Sequence, residues 1–173
     1  AFWDCTDLSS VTFLPSATRA PLKIGCMKSG ATEWGPFYDS PLSTVNLNRE
    51  LVSVWGDGEV FEATAWDEGI FANKHYESVA SASVTIGSQV ETLQNYMFYG
   101  FPIQTLTIPG TLKTIGNCVF DECKKLTSLI YEPSPTGTPL THGYNADSND
   151  DGPFYASPLT SVHLYREINY TYS

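Results

Sequence analysis

Residues 35–51 read GPFYDSPLSTVNLNREL and residues 152–168 read GPFYASPLTSVHLYREI, with eleven of seventeen positions identical. The match runs upstream: LPSATRAPLKIG at 14–25 aligns with EPSPTGTPLTHG at 132–143, and AFWDCTDLSSVTF at 1–13 with VFDECKKLTSLIY at 119–131. Residues 1–51 thus match 119–168 at an offset of 117–118. So long a repeat in 173 residues points to units stacked in a line, each covering the apolar edge of the next. Arrays of that kind serve as binding surfaces or spacers more readily than as active sites.

A shorter period lies inside the long one. Phenylalanine recurs at Phe2, Phe37, Phe71, Phe98, Phe120 and Phe154, and an L-x-x-L-x-L triplet follows most of them. The clear triplets are Leu8, Val11, Phe13; Leu42, Val45, Leu47; Ile103, Leu106, Ile108; Leu126, Leu129, Tyr131; and Leu159, Val162, Leu164. Val84 and Ile86 form a weaker sixth, with Ser81 at its first position. The closing x-L-x-L alternation has a period of two, which predicts a short strand with one buried face in each unit. The 22 residues from Phe98 to Phe120 are the minimal rung, and longer spacings are the same rung carrying extra loop. Phe2-x-x-Cys5-x-x-Leu8 and Phe120-x-x-Cys123-x-x-Leu126 suit a short helical turn. Val90 with Leu93, and Leu112 with Ile115, are expected to point inward from the opposite wall.

The residues at 93–131, LQNYMFYGFPIQTLTIPGTLKTIGNCVFDECKKLTSLIY, resemble the BspA-type leucine-rich repeats of bacterial surface proteins, Bacteroidetes type. Leu106, Ile108, Pro109, Leu112, Ile115, Gly116, Phe120 and Cys123 fall on that pattern, and Ile86, Val90, Leu93 and Phe98 repeat it one rung earlier. The resemblance implies a repeat solenoid, a right-handed β-α superhelix. It has about six short parallel strands on one face, with short helical turns and loop insertions on the other. It implies one leucine-rich-repeat domain over 1–173, a segment of a longer array, and an extracellular or outer cell-surface location devoted to adhesion. No catalytic motif comes with it.

Composition narrows the partners. A formal net charge of −10 disfavours nucleic acid and anionic membranes, and no apolar run is long enough to span a bilayer. The chain opens at Ala1-Phe2 inside a rung, with no signal peptide, as expected of a processed product or excised segment. Cys5, Cys26, Cys118 and Cys123 lack the C-x-x-C spacing of zinc ligands and read as buried structural thiols, with a Cys118–Cys123 bridge across a turn as the alternative. Asp147, Asn149 and Asp151 before Gly152 match the first half of a calcium loop, but Pro158 stands where the closing glutamate belongs. A solvated acidic turn explains the same residues, and no other cofactor is indicated. His75, His142 and His163 neighbour no nucleophile motif; His142 falls in a loop insertion and His163 outward on a strand. The chain does not read as an enzyme.

What remains is surface. Parallel stacking would align the outward strand residues into two rows. One is Thr12, Asn46, Thr85, Thr107, Ile130 and His163; the other, all hydroxyl, is Ser10, Thr44, Ser83, Thr105, Ser128 and Ser161. Such a concave face could receive a glycan or extended peptide through many shared hydrogen bonds, although threonine also simply suits an exposed strand. Trp34, Trp55 and Trp66 belong to the insertions and are candidate anchors for a sugar or protein ligand. Arg49-Glu50 and Arg166-Glu167 recur after a strand and read as structural clamps to neighbouring rungs. Two functions stay open: a non-catalytic surface module binding protein or glycan, and a passive spacer within a longer solenoid.

Overall fold

The computed structural model describes residues 2–29, 32–72, 79–144 and 152–172. Its strands come in pairs, each pair forming two sides of a rung. The six rungs are β1 (Ser10–Phe13) with β2 (Leu22–Gly25), β5 (Thr44–Leu47) with β6 (Leu51–Val54), β7 (Ser83–Ile86) with β8 (Thr92–Leu93), β9 (Thr105–Ile108) with β10 (Thr114–Ile115), β11 (Ser128–Tyr131) with β12 (Leu140–Tyr144), and β13 (Ser161–Leu164) with β14 (Ile168–Tyr172). A small antiparallel hairpin, β3 (Met27–Ser29) and β4 (Thr32–Trp34), fills the first insertion.

The first strands of the rungs form a front row of parallel ladders, β1-β5-β7 and β9-β11-β13. A bridge between Ala82 and Ile103 joins the two, with the Ala82 N–H donating to the Pro102 carbonyl at 2.9 Å. These are the parallel strands that the L-x-L alternation predicts. The second strands form a rear row, β2-β6 and β8-β10-β12-β14, also parallel. Sequence reading placed inward-pointing pairs on this wall without recognising strands. Two-residue strands such as Thr92–Leu93 and Thr114–Ile115 are too short to show a period of two.

Between the two rows runs one continuous apolar core. Val45, Leu106, Ile108, Leu129, Leu93, Leu112 and Ile115 are all at most 1% exposed. The recurrent phenylalanines stack into a column along its third side. Successive ring centroids from Phe2 through Phe37, Phe71, Phe98, Phe120 to Phe154 are 5.0, 5.2, 4.9, 5.4 and 5.3 Å apart, with planes within 18°. These separations track the strand spacing of a sheet, so one phenylalanine per rung keeps the column in register with both strand rows.

The helical turns expected at the phenylalanines are single i→i+3 turns, as where Phe101 N–H bonds Phe98 O; among the described residues only Trp66–Glu68 winds into a one-turn 3-10 helix. The residue two past the phenylalanine has positive φ at Asp4, Asp39, Gly100, Glu122 and Ala156. That conformation turns its N–H along the stack: Asp4 donates to Tyr38 O, Gly100 to Asp121 O and Glu122 to Tyr155 O. One residue further, a short donor reaches back to the preceding phenylalanine carbonyl. Ser40 Oγ donates to Phe2 O, Ser157 Oγ to Phe120 O and Cys123 Sγ to Phe98 O. The cysteine of the F-x-x-C pattern therefore satisfies a carbonyl as well as filling space.

The rear row is interrupted between β6 and β8, and a side chain spans the gap. Gln94 Oε1 accepts the Ser53 N–H at 2.8 Å. The long corner 14–21 steps over the short corner after β5 and reaches the third rung. There the Gln89 amide both accepts from Ser16 N (2.8 Å) and donates to Ser16 O (3.0 Å), reproducing a strand pairing. The recurring arginines act on these corners as clamps: Arg49 Nη2 donates to Ala20 O, and Arg166 Nη2 donates to the equivalent Thr138 O.

His142 lies in β12, not in a loop as its sequence context suggests, and is 4% exposed. Its ring packs beside Tyr131, Phe154 and Tyr170, and its Nε2 is 3.4 Å from the Tyr131 hydroxyl. Burial and, second, the charge of Arg166 push its pKa down to about 4. The end rung is less covered: Val162 is 48% and Leu164 58% exposed, against 0% for Val45 and Leu106.

Candidate binding face

The parallel register brings the outward residues of the front row into line. Ser10, Thr44 and Ser83 are direct partners in one ladder, and Thr105, Ser128 and Ser161 in the other. The neighbouring row aligns Thr12, Asn46 and Thr85, then Thr107, Ile130 and His163. All twelve positions are half-buried or exposed, while the residues between them, Val162 excepted, pack in or against the core. The rows carry no carboxylate, lysine or arginine, so the face offers hydroxyl and amide groups on a neutral surface. Some of these groups already bond each other: Asn46 Nδ2 donates to Thr12 Oγ1 at 3.1 Å, and Ser161 Oγ is 3.2 Å from His163 Nε2. Ile130 is the one apolar interruption.

A third hydroxyl position, just before the strands, escaped the sequence reading. Ser43 Oγ donates to Ser9 O, Thr127 Oγ1 to Gln104 O and Thr160 Oγ1 to Thr127 O. These hydroxyls hold one rung to the next. The signal was present in the sequence, as a polar residue two places before the inward front-strand residue in every rung but the third, where Ala82 stands.

The three tryptophans do not share one site. Trp55 stacks on Phe61 with ring centroids 3.7 Å apart. Trp34 and Trp66 enter an aromatic row outside the phenylalanine column. Its ring centroids step from Trp3 to Trp34 (5.7 Å), Tyr38 (6.0 Å), Trp66 (6.4 Å) and Tyr99 (5.9 Å). Trp3, Tyr38 and Tyr99 each directly follow a column phenylalanine, a pattern that sequence reading could have used. In the third rung that position is Ala72, and Trp66 bridges the two tyrosines across it. Trp34 and Trp66 are half-buried in this row.

The thiols are all unbridged: Cys26, Cys118 and Cys123 are buried and Cys5 half-buried. Burial pushes the Cys26 thiol up to about 11 and raises that of Cys123 as well, so neither supplies a thiolate at neutral pH. Asp147, Asn149 and Asp151 lie outside the described residues. Among the described residues no group of three or more His, Cys, Asp or Glu side chains could hold a metal, and no helix is long and apolar enough to cross a membrane.

Short parallel strands stacked rung on rung, with one leucine-like triplet and one column phenylalanine each, define a leucine-rich repeat solenoid. Residues 68–173 match the family described as BspA type leucine rich repeat region (6 copies). The chain belongs to that family. No curated protein and no solved structure matches it. Repeats of this family suggest a protein-binding module, are typically non-catalytic, and typically occur in surface proteins.

Proposed function

We propose that the chain is a non-catalytic, extracellular adhesion module whose front strand face receives a host protein or glycan. The reading rests on one observation: the two outward rows run in unbroken register within each ladder, uncharged and studded with hydroxyls. An extended ligand laid across the strands would meet the same donor and acceptor groups at every rung, which favours repetitive partners. Thr12, Thr85, Thr107 and His163 are the most accessible members of the outer row, with Ser10, Ser83 and Thr105 exposed beside them. Trp34, Trp55 and Trp66 are secondary anchors. The repeat of residues 1–51 at 119–168 also supports a single domain cut from a longer array.

The test is a binding screen of the folded chain against extracellular-matrix proteins and polysaccharides, repeated with Thr85→Lys/Thr107→Lys. Retention of a ligand by the parent chain and its loss in the double variant is expected. Clean failure to bind any of them would favour a passive spacer. Binding unaffected by the lysines would move the site off this face.

A further inference from the structure

Three of the chain's nine lysines and arginines, Arg19, Lys113 and Arg166, line one groove of a molecule whose formal net charge is −10. The groove encloses about 300 Å³, at the small end of ligand-sized sites. It lies on the corners between the front and rear strand rows, separate from the front face. Its two ridges are the two copies of the long corner, contributing Arg19 on one side and Ser134–Thr138 on the other. Its floor is the short corner of the fourth rung, including Gly110, Thr111 and Leu112.

The charges in the groove do not cancel among the described residues. Glu91 is the one carboxylate lining it, and it is shared by Lys113 at 2.6 Å and Arg19 at 3.6 Å. Arg166 is bonded only to carbonyl oxygens: Nη1 to Pro109, Gly110 and Leu112, and Nη2 to Thr138. Carbonyls take up its Nη groups, its buried Nε has no hydrogen-bond partner, and its full positive charge stays in place. Arg19 also occupies a position that the repeat itself fills differently. Its φ is +57°, and its counterpart in the second copy is Gly137 at +72°. An arginine held in the left-handed region where glycine serves elsewhere is strain retained at a point where the side chain is useful. Besides its ion pair with Glu91, its guanidinium makes one hydrogen bond, from Nη2 to Ser88 O, and 59% of the side chain is exposed.

From this juxtaposition, the geometry points to a site for one carboxylate-bearing saccharide unit, such as a hexuronate. Its carboxylate would meet Arg19 and Lys113, and the positive charge of Arg166 would favour it from below. Ring hydroxyls would find Ser88, Ser134 and Thr136, while the exposed Pro135 gives an apolar surface for the C–H face of the ring. A small inorganic anion would use the cations alone, and a neutral sugar the hydroxyls alone.

The test is NMR titration of the whole ¹⁵N-labelled chain with D-glucuronate, D-glucose and inorganic phosphate in parallel, at low salt. Glucuronate is expected to shift the amides of residues 110–113 and 134–138 saturably, at least about tenfold more tightly than either control. Arg19→Gly installs the residue the second copy already uses, so it should fold normally and bind glucuronate at least about tenfold more weakly. Lys113→Ala serves as the second variant. Equal affinity for glucose or for phosphate overturns the proposal, as does an unchanged titration in folded Arg19→Gly, or the absence of any shift in the groove amides. None of these results bears on the front face, whose screen is read with Thr85 and Thr107.

Discussion

At the scale of single residues, the fold is set by positions counted from the column phenylalanine. At three rungs the third residue after it is small and donates, serine at 40 and 157 and cysteine at 123, whereas Phe101 fills that place after Phe98. Cys123→Ser is expected to keep most stability, because the hydroxyl can make the same bond to Phe98 O. Cys123→Ala removes that bond, leaving Phe98 O only the Phe101 N–H, and should lose about 0.5–1.5 kcal/mol more in urea unfolding. The second residue after the phenylalanine must be left-handed. Ala156, at φ +51°, has no polar side chain to favour that region, so Ala156→Gly should gain about 1 kcal/mol, read as a rise in the urea midpoint. A lower midpoint would mean that the turn does not need this conformation.

His142 shows the same local logic in a titratable group. It is buried among Tyr131, Phe154 and Tyr170, with Arg166 the nearby charge, and its pKa stands at about 4 against 6.5 for a free imidazole. Between those two values the unfolded chain takes up a proton that the folded chain refuses. Stability should therefore be full above about pH 6.5 and fall as pH drops towards 4, losing on the order of 3 kcal/mol from this group. Urea midpoints across pH 4–7 check it by comparison with His142→Gln, whose curve should be flatter over that window. Parallel curves for the two proteins would show that the fall comes from carboxylates elsewhere.

At the scale of elements, the front strands were legible because their alternation is strong: Val11, Val45, Leu106, Leu129 and Val162 with their partners two residues on fix both the strand and its inward face. The outward rows followed from the same period. The rear row was hidden, because Thr92–Leu93 and Thr114–Ile115 leave no pattern and owe their pairing to the stack. The groove was hidden for another reason: Arg19, Glu91, Lys113 and Arg166 are scattered in sequence and meet only when a long corner skips a rung. Close approach of the rear strands also depends on glycines that composition alone does not distinguish. A Cβ on Gly116 would lie 2.4 Å from Asn95 Oδ1 and 2.8 Å from Asn95 N, whereas one on Gly25 meets nothing within 4 Å. Gly116→Ala should thus cost about 1–3 kcal/mol, and Gly25→Ala should be neutral or stabilise by up to about 1 kcal/mol. Thermal melts of the pair distinguish them, and equal losses would mean that the rear wall is looser than the spacing implies.

At the scale of the whole molecule, each rung is held almost entirely by the rungs on either side of it, so stability should vary along the stack. The middle rungs have two neighbours: Leu106 and Leu129 are at most 1% exposed, and Phe98 and Phe120 have stacked rings on both faces. The sixth rung has one. Its β13 leaves Val162 48% and Leu164 58% exposed, even though its sequence repeats β5, whose Val45 and Leu47 are buried between β1 and β7. The same residues are therefore secure or loose according to position in the array. Hydrogen exchange measured on the native chain should protect the amides of β9 and β11 at least about tenfold more than those of β13 and β14, with β5 following the middle rungs despite its kinship with β13. Uniform protection from end to end would indicate that the six rungs open together, and that coupling along the phenylalanine column exceeds the stability of any one rung.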